Sequence, residues 1–402
     1  MEEAELIERV KQAIASQTPL CIRAGGSKAF YGRACVGEAL DVSGLRGIVA
    51  YDPTELVITA RAGTPLAEIE AALAANNQML PFEPPHFSPP PQAGEGLGQP
   101  ETWPALFGGL VGGLVAPPER ERERESSSDL LSTNALSPAL PQRGRGQNAA
   151  TLGGMVATGL SGPRRPWGGA VRDAVLGVKL LNGRGEVLCL GGQVMKNVAG
   201  YDVSRLMVGA MGTLGVLLEV SIKVLPRPAC ERTLVFETGG RPANTPTSGM
   251  PVSASLELDG RLYLRLSASS RCVEMAADSL GGEAADPEIW AAARDQTLPF
   301  FQTDLPLWRI SLPPAAPSLN LPGSELIEWN GAQRWLISEL PAKALRQRVG
   351  ALGGHATLFR NHAGVDEVFQ PLQPAMLALH QRVKQALDPH AVFNPGRLYP
   401  EL

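Results

Sequence analysis

A chain of 402 residues with 44% hydrophobic content can build two domains with buried cores, as a soluble globular protein does. Its formal net charge of -4 offers no basic footprint for nucleic acid. No window reads as a transmembrane segment, and the acidic start Met1-Glu2-Glu3-Ala4-Glu5 is unlike a signal peptide, so a cytoplasmic protein is expected.

Residues Glu3 to Ser16 place Leu6, Ile7, Val10 and Ile14 on one face, which predicts an amphipathic helix. Leu20-Cys21-Ile22-Arg23 predicts a strand running into Ala24-Gly25-Gly26-Ser27-Lys28, where glycines flanked by cationic side chains suit a phosphate; an ordinary tight turn is the alternative. Val57–Ala62 predicts another strand, and Gly63-Thr64-Pro65 a helix start with Thr64 as N-cap and Pro65 at the first helical position. Leu66, Ile69 and Leu73 give that helix its buried face, and Asn76-Asn77 end it. This alternation belongs to an α+β or α/β domain.

From Ser88 to Gln147 the composition changes to proline, glycine, serine and alternating charge, as in Glu119-Arg120-Glu121-Arg122-Glu123-Arg124-Glu125. Trp103, Leu106 and Phe107 cannot give such a segment a core, so a mobile surface insertion is expected. Its ends are built from codons rich in G and C, which suggests a repetitive DNA element translated in frame, tolerated because a longer surface loop costs little closure entropy. A regulatory loop is the alternative.

The stretch Thr151–Gly215 organises the chain. It opens with Thr151-Leu152-Gly153-Gly154-Met155 and Ser161-Gly162-Pro163-Arg164-Arg165, and closes with Gly212-Thr213-Leu214-Gly215. Glycines at this density leave backbone amides unshielded, so the main chain can lie against a flat or anionic ligand. Between them, Leu176–Leu180 and Glu186–Leu190 predict a hairpin turning at Asn182-Gly183-Arg184-Gly185, Asp202 caps a helix through Met207, and Val216–Val224 predicts a strand with one apolar face. Pro226-Arg227-Pro228 then marks a domain boundary.

Beyond Ala229, strands are predicted at Thr233–Glu237, Ser253–Leu258, Leu262–Ser267, Trp308–Leu312, Glu325–Glu328 and Arg334–Glu339, with hairpin turns at Asp259-Gly260 and Asn330-Gly331. Helices are predicted at Ser270–Leu280, Pro287–Asp295, Ala342–Leu352 and Pro374–Leu387. The expected arrangement is an antiparallel sheet with helices on one face. The five cysteines (Cys21, Cys35, Cys189, Cys230, Cys272) and five histidines (His86, His355, His362, His380, His390) show no metal-ligand spacing. That argues against a disulfide framework, a zinc site or an iron–sulfur cluster in this chain, and no metal is expected; redox chemistry must come from an organic cofactor.

Arg23-Ala24-Gly25-Gly26-Ser27, Thr151-Leu152-Gly153-Gly154, Gly212-Thr213-Leu214-Gly215-Val216 and Phe393-Asn394-Pro395-Gly396-Arg397 together resemble the FAD-binding pattern of the vanillyl-alcohol-oxidase-type (PCMH-type) flavoproteins. The run Gln193-Val194-Met195-Lys196-Asn197-Val198-Ala199-Gly200-Tyr201-Asp202 is similar, more narrowly, to the FAD-binding subunits of bacterial glycolate oxidases. The resemblance covers nearly the whole chain outside the insertion. It implies an α+β fold: a two-subdomain PCMH-type FAD-binding domain over 1–226 interrupted at 88–147, an antiparallel-sheet α+β cap over 227–370, and a C-terminal helix and turn over 371–402 that return to the FAD domain.

The cofactor-binding residues so implied are Arg23, Ala24, Gly25, Gly26, Ser27 and Lys28; Thr151, Leu152, Gly153, Gly154, Ser161 and Gly162; Lys196 and Tyr201; Gly212, Thr213, Gly215 and Val216; and Asn394. Gly25, Gly26 and Ser27 would offer amides to the pyrophosphate, with Gly153 and Gly154 closing on it. Val216 would approach the adenine or flavin edge through its main chain, and Lys196, Tyr201 and Asn394 would line the cofactor or cap side. Tyr201 as a packed ring, and Lys196 as a solvated partner of Asp202, are the alternatives.

Two departures matter. Relatives that attach FAD covalently often place a histidine after the first glycine pair; Ser27 stands there, so a non-covalent FAD is expected. The His-x-Gly-Asp-Gly-Asn-x-His stretch of the family's 2-hydroxy-acid dehydrogenases is not matched, the late region reading Arg360-Asn361-His362-Ala363-Gly364-Val365-Asp366. Oxidising a 2-hydroxy acid needs a base for the hydroxyl proton and a cation for the carboxylate, and spacing singles out none of Arg164, Arg165, His86 and His362 as that base. The expected protein is the FAD-binding subunit of a heteromeric glycolate dehydrogenase, oxidising glycolate to glyoxylate with electrons passed to a non-oxygen acceptor. It would work beside a catalytic flavin subunit and an iron–sulfur subunit, in the cytoplasm or peripherally on the inner membrane. A free-standing FAD dehydrogenase of another small 2-hydroxy acid and a non-catalytic assembly subunit are the alternatives.

Overall fold

The structure, a computed structural model, describes residues 2–87, 149–192, 201–237, 249–361 and 367–402. The insertion at 88–147, Lys196 and His362 therefore lie outside the described residues. Helix α1 (Glu3–Ser16) buries Leu6, Val10 and Ala13 and ends at Gln17, whose left-handed backbone turns the chain into β1 (Leu20–Arg23). Strand β2 (Glu38–Asp41) pairs with β1 in parallel. Strands β3 (Ile48–Asp52) and β4 (Val57–Arg61) precede α2 (Leu66–Ala75). Pro65, extended, takes the capping position expected for Thr64, whose hydroxyl is instead engaged with the amide and carbonyl of Gly47.

After the short strand β5 (Gln78–Met79), α3 (Leu152–Thr158) starts at Thr151, whose hydroxyl accepts the Gly154 amide at 3.3 Å. Two single turns, α4 (Arg165–Gly168) and α5 (Val171–Ala174), lead to the hairpin β6 (Val175–Leu181) and β7 (Val187–Gly191). Asp202 caps α6 (Val203–Leu206) through the Arg205 amide, and β8 (Val216–Lys223) and β9 (Leu225–Pro226) follow, β9 pairing with β5. Strands β3, β4, β8, β6 and β7 lie in that order in one antiparallel sheet. Ile58, Val178, Leu180, Val220 and Ile222 of this sheet pack against Leu66, Ile69 and Leu73 of α2 and Met155 and Val156 of α3. That packing brings the glycine-bearing start of α3 up to Ala62 at the end of β4, where the Gly153 amide donates to the Ala62 carbonyl at 2.7 Å.

An eight-stranded antiparallel sheet follows. Its elements are β10 (Cys230–Glu237), β11 (Val252–Leu258), β12 (Arg261–Ala268), α7 (Ser270–Leu280), β13 (Glu283–Ala284), α8 (Glu288–Asp295), β14 (Leu307–Ser311), β15 (Ser324–Glu328), β16 (Gln333–Ile337), α9 (Ala342–Ala351) and β17 (His355–Arg360). The sheet order is β13-β10-β12-β11-β15-β16-β14-β17. Asp259 and Gly260, both at positive φ, make the β11–β12 turn.

The period of two sorts this sheet's residues onto two faces. Leu262, Leu264, Leu266, Trp308, Ile310, Leu336 and Leu358 point to the face covered by α7 and α9. Tyr263, Leu307, Leu326, Trp335 and Phe359 point the other way, toward Tyr31, Phe87, Leu160 and Met211 of the preceding part of the chain. Helix α8 packs on this second face through Trp290, Ala292 and Ala293, so the helices are not confined to one face as expected. The unexpected strands are β2, β3 and β17 together with the two-residue β5, β9 and β13.

The second face is also clamped by charge. Glu83 accepts two hydrogen bonds from Arg265 of β12, at 2.7 and 2.9 Å, and one from the Arg164 amide at 2.9 Å. Burial pushes the Glu83 carboxyl up, but Arg265, with Arg164 and Arg294, outweighs that effect and holds it below the usual carboxylate range. Helix α10 (Pro374–Leu387) leads to the last segment, which Lys384 fastens: its ammonium donates to the Thr213 carbonyl, the Phe393 carbonyl and Asp388 at 2.7 to 2.8 Å.

Candidate cofactor site

After β1 the chain crosses Ala24 to Lys28 without regular structure. The amides of Gly25, Gly26, Ser27 and Lys28 donate to no acceptor among the described residues, although Gly25, Ser27 and Lys28 are buried. These residues line a cavity of about 570 Å³. Buried donors without partners cost about 1–3 kcal/mol each, so an anionic group placed against this run is stabilised by amides with no competing acceptor. Gly25 cannot be replaced: a Cβ there would stand 1.6 Å from the Ala149 carbonyl oxygen.

The opposite wall comes from Thr151, Gly154, Ala157 and Thr158 of the α3 region, with Met211, Asn394 and Arg397. A smaller apolar cavity of about 90 Å³ shares Arg23, Ala24, Gly154, Ala157, Met211 and Asn394 with it and adds Gly153, Gly212 and Gly215. Three glycine-bearing loops distant in sequence thus converge, and Ser27 and Gly154 line the same cavity.

Asn394 holds two of these loops in register. Its Oδ1 accepts the Ile22 amide and its Nδ2 donates to the Met211 carbonyl, both at 2.7 Å. A Cβ on Gly212, which has φ +72°, would come within 2.6 Å of that Asn394 amide. Arg397, which the sequence reading did not select, donates to the carbonyls of Ala29, Tyr31 and Arg33, and the Arg33 side chain donates to the Gly396 carbonyl. Burial lowers the Lys28 pKa to about 8, against the opposing pull of Asp295.

Cys21 and Cys35, which the scattered spacing gave no reason to pair, are joined in a disulfide and line the large cavity. The loop from Ala24 to Ala34 doubles back and brings them together, a proximity that spacing alone does not reveal. Among the described residues no cluster of His, Cys, Asp and Glu could hold a metal ion.

Other selected residues lie elsewhere. Leu152, Thr213 and Val216 are buried outside the lining of either cavity; the Thr213 hydroxyl donates to Ala210 and Val216 packs in a core with Leu6 and Leu20. Tyr201 is 97% exposed. Ser161 and Gly162 line a separate cavity of about 30 Å³ beside Phe87, Leu160, Arg309, Glu328, Gln333 and Trp335. His86 is paired with Glu70 at 3.0 Å and Arg164 with Glu231 at 2.6 Å.

A PCMH-type α+β fold whose glycine loops converge on a cavity of unspent amides defines an FAD-binding oxidoreductase, and the amide run, the glycines and Lys28 fit the pyrophosphate of that cofactor. The FAD binding domain family matches residues 1–90. The glycolate oxidase subunit GlcE of Escherichia coli is 44% identical over 402 residues, covering 99% of this chain and 97% of that protein. This chain belongs to the family of that subunit. The D-lactate dehydrogenase of Anaerostipes hadrus is 39% identical over a shorter stretch of 91 residues, 23% of this chain and 19% of that protein. Among solved structures, alkyldihydroxyacetonephosphate synthase matches with a TM-score of 0.60 at 13% identity, covering 99% of this chain and 76% of that one, which supports the fold alone.

Proposed function

We propose that this chain is the FAD-carrying subunit of a heteromeric glycolate dehydrogenase that oxidises glycolate to glyoxylate and passes electrons to an acceptor other than oxygen. The observation that carries this reading is the run of unspent amides at Gly25–Lys28 in the 570 Å³ cavity of a chain from the GlcE family. Bound there, FAD supplies the hydride acceptor that no side chain can replace. Gly25, Gly26, Ser27 and Lys28 hold the pyrophosphate, Gly154 and Thr151 close the opposite wall, and Asn394 keeps the two walls in register. Ser27 can hydrogen-bond phosphate but forms no histidyl link, so the flavin is held non-covalently.

In this reading residues 1–226 form the FAD domain, 227–370 the cap and 371–402 the returning segment. The partners are a catalytic flavin subunit and an iron–sulfur subunit, assembled in the cytoplasm or peripherally on the inner membrane. No helix among the described residues is long and apolar enough to cross a membrane.

The test is the visible spectrum of the purified full chain, alone and with partner subunits, before and after anaerobic glycolate. A yellow protein that releases its flavin on acid precipitation and bleaches with glycolate when partners are present is the expected result. A colourless protein that takes up no added FAD would overturn the reading.

A further inference from the structure

Cys21 and Cys35 both line the large cavity, and the bridge between them closes a ring that contains the whole amide run Gly25–Lys28. The opposite wall, with Thr151, Gly154, Ala157, Thr158, Met211 and Asn394, lies outside that ring. Cys21 belongs to β1, which pairs with β2, and Arg397 gathers the carbonyls of Ala29, Tyr31 and Arg33. The frame of the ring is thus held at several points whether or not the sulfurs are bonded. Gly25 to Lys28, in contrast, spend no amide on any acceptor among the described residues, so their arrangement leans on the covalent tether.

The two sulfurs are not equivalent. Cys21 is 1% exposed, whereas Cys35 is half-buried between the exposed residues Ala34 and Val36. An incoming thiolate therefore reaches Cys35, and Cys21 is the leaving group. The cavity lining includes Arg23, Lys28 and Arg397 and no carboxylate, a setting that stabilises the departing Cys21 thiolate. Cys35 Sγ also lies 3.6 Å from Asn394 Oδ1, the atom that accepts the Ile22 amide, so a change at this sulfur reaches the residue that keeps the two walls in register. Cys189, Cys230 and Cys272 are free thiols. In a reducing compartment such as the one proposed for this chain, a lasting bridge is unusual and a redox-sensing one is the common kind.

We propose that Cys35 is a thiol-exchange site through which a dithiol reductant opens the Cys21–Cys35 bridge and loosens the hold of the amide run on FAD. A thiolate of the reductant bonds to Cys35 Sγ and expels Cys21. Its second thiolate then displaces Cys35 and closes the reductant's own disulfide. Two electrons pass from the reductant to the protein sulfurs, and its two protons complete the Cys21 and Cys35 thiols. The proposal rests on the FAD-subunit reading and adds that cofactor retention answers to the thiol state of the surroundings.

The full chain is kept oxidised, or is reduced with dithiothreitol and freed of it anaerobically, and alkylation followed by mass measurement reports the state of the pair. Fluorescence titration is expected to show FAD binding roughly tenfold weaker to the reduced chain, as loss of preorganisation predicts. Linkage then requires bound FAD to protect the bridge by the same factor, about 30 mV in glutathione redox buffers, a shift that a merely structural bridge would not show. Cys35→Ser, with Cys21→Ser as a second variant should the first fail to fold, is expected to bind FAD like the reduced chain before and after dithiothreitol, whereas Cys272→Ser should keep the full difference. Equal FAD affinity in the two verified redox states, a bridge whose reduction ignores FAD, or free Cys21 and Cys35 thiols in the oxidised chain would overturn the proposal and leave the FAD-subunit reading intact. Failure to bind FAD in either state would sink that reading and this proposal with it.

Discussion

In the proposed site, Lys28 is the residue where charge and cofactor would meet. Burial has already lowered its pKa to about 8, so near neutral pH it is mostly protonated and available to a phosphate. A bound pyrophosphate favours the protonated form, so FAD affinity should fall by up to roughly tenfold per pH unit once the pH passes about 8. Fluorescence titration of FAD from pH 7 to 9.5 checks this, and Lys28→Met should bind more weakly and without that slope. Glu83 carries the opposite sign. Its folded-state pKa is depressed, so its stabilisation is complete above the usual carboxylate range and is lost as pH falls through the depressed value. Glu83→Gln leaves Arg265 buried without its partner and should cost about 3–5 kcal/mol, read as a lower Tm and a flattened acid limb in pH-dependent melts. At this scale the sequence was half legible. Gly25, Gly26 and Gly154 were found because glycine density has a direct steric meaning, whereas Arg309, Gln333 and Glu328, linked by hydrogen bonds, are polar residues on three adjacent strands. Only the register shows that they share a face.

Elements with a clean period were readable. Helices α1 and α7 and strands β6 and β8 lie where the pattern puts them, because each buries an apolar face; α10 also lies where expected, although Lys384 is its one buried residue. Strand β2 buries only Leu40, and β17 buries four consecutive residues, so neither shows an alternation from which a strand could be inferred. The segment after α10 matters most to the site. Asn394→Ala removes two hydrogen bonds and leaves the Ile22 amide and Met211 carbonyl unpartnered. It should cost about 1–3 kcal/mol per orphaned group and release flavin during gel filtration, with far-UV circular dichroism unchanged.

For the molecule as a whole, the eight-stranded sheet meets loops at residues 30–31, 83–87, 160–164 and 211 across a face that is apolar around Phe359 and Trp335 and charged around Glu83 and Arg265. The disulfide between Cys21 and Cys35 and the carbonyls gathered by Arg397 fix the loop that bears the amides from behind. Asn394 and Ile22, which meet in the cavity wall, are 372 positions apart in the chain. At about 5–20 residues per second, a ribosome needs roughly 20 to 75 s to supply the second after the first. Throughout that interval the nascent N-terminal half has no finished place for a flavin, so cofactor capture is a late event in biogenesis, and a prematurely terminated product lacking Asn394 would stay empty.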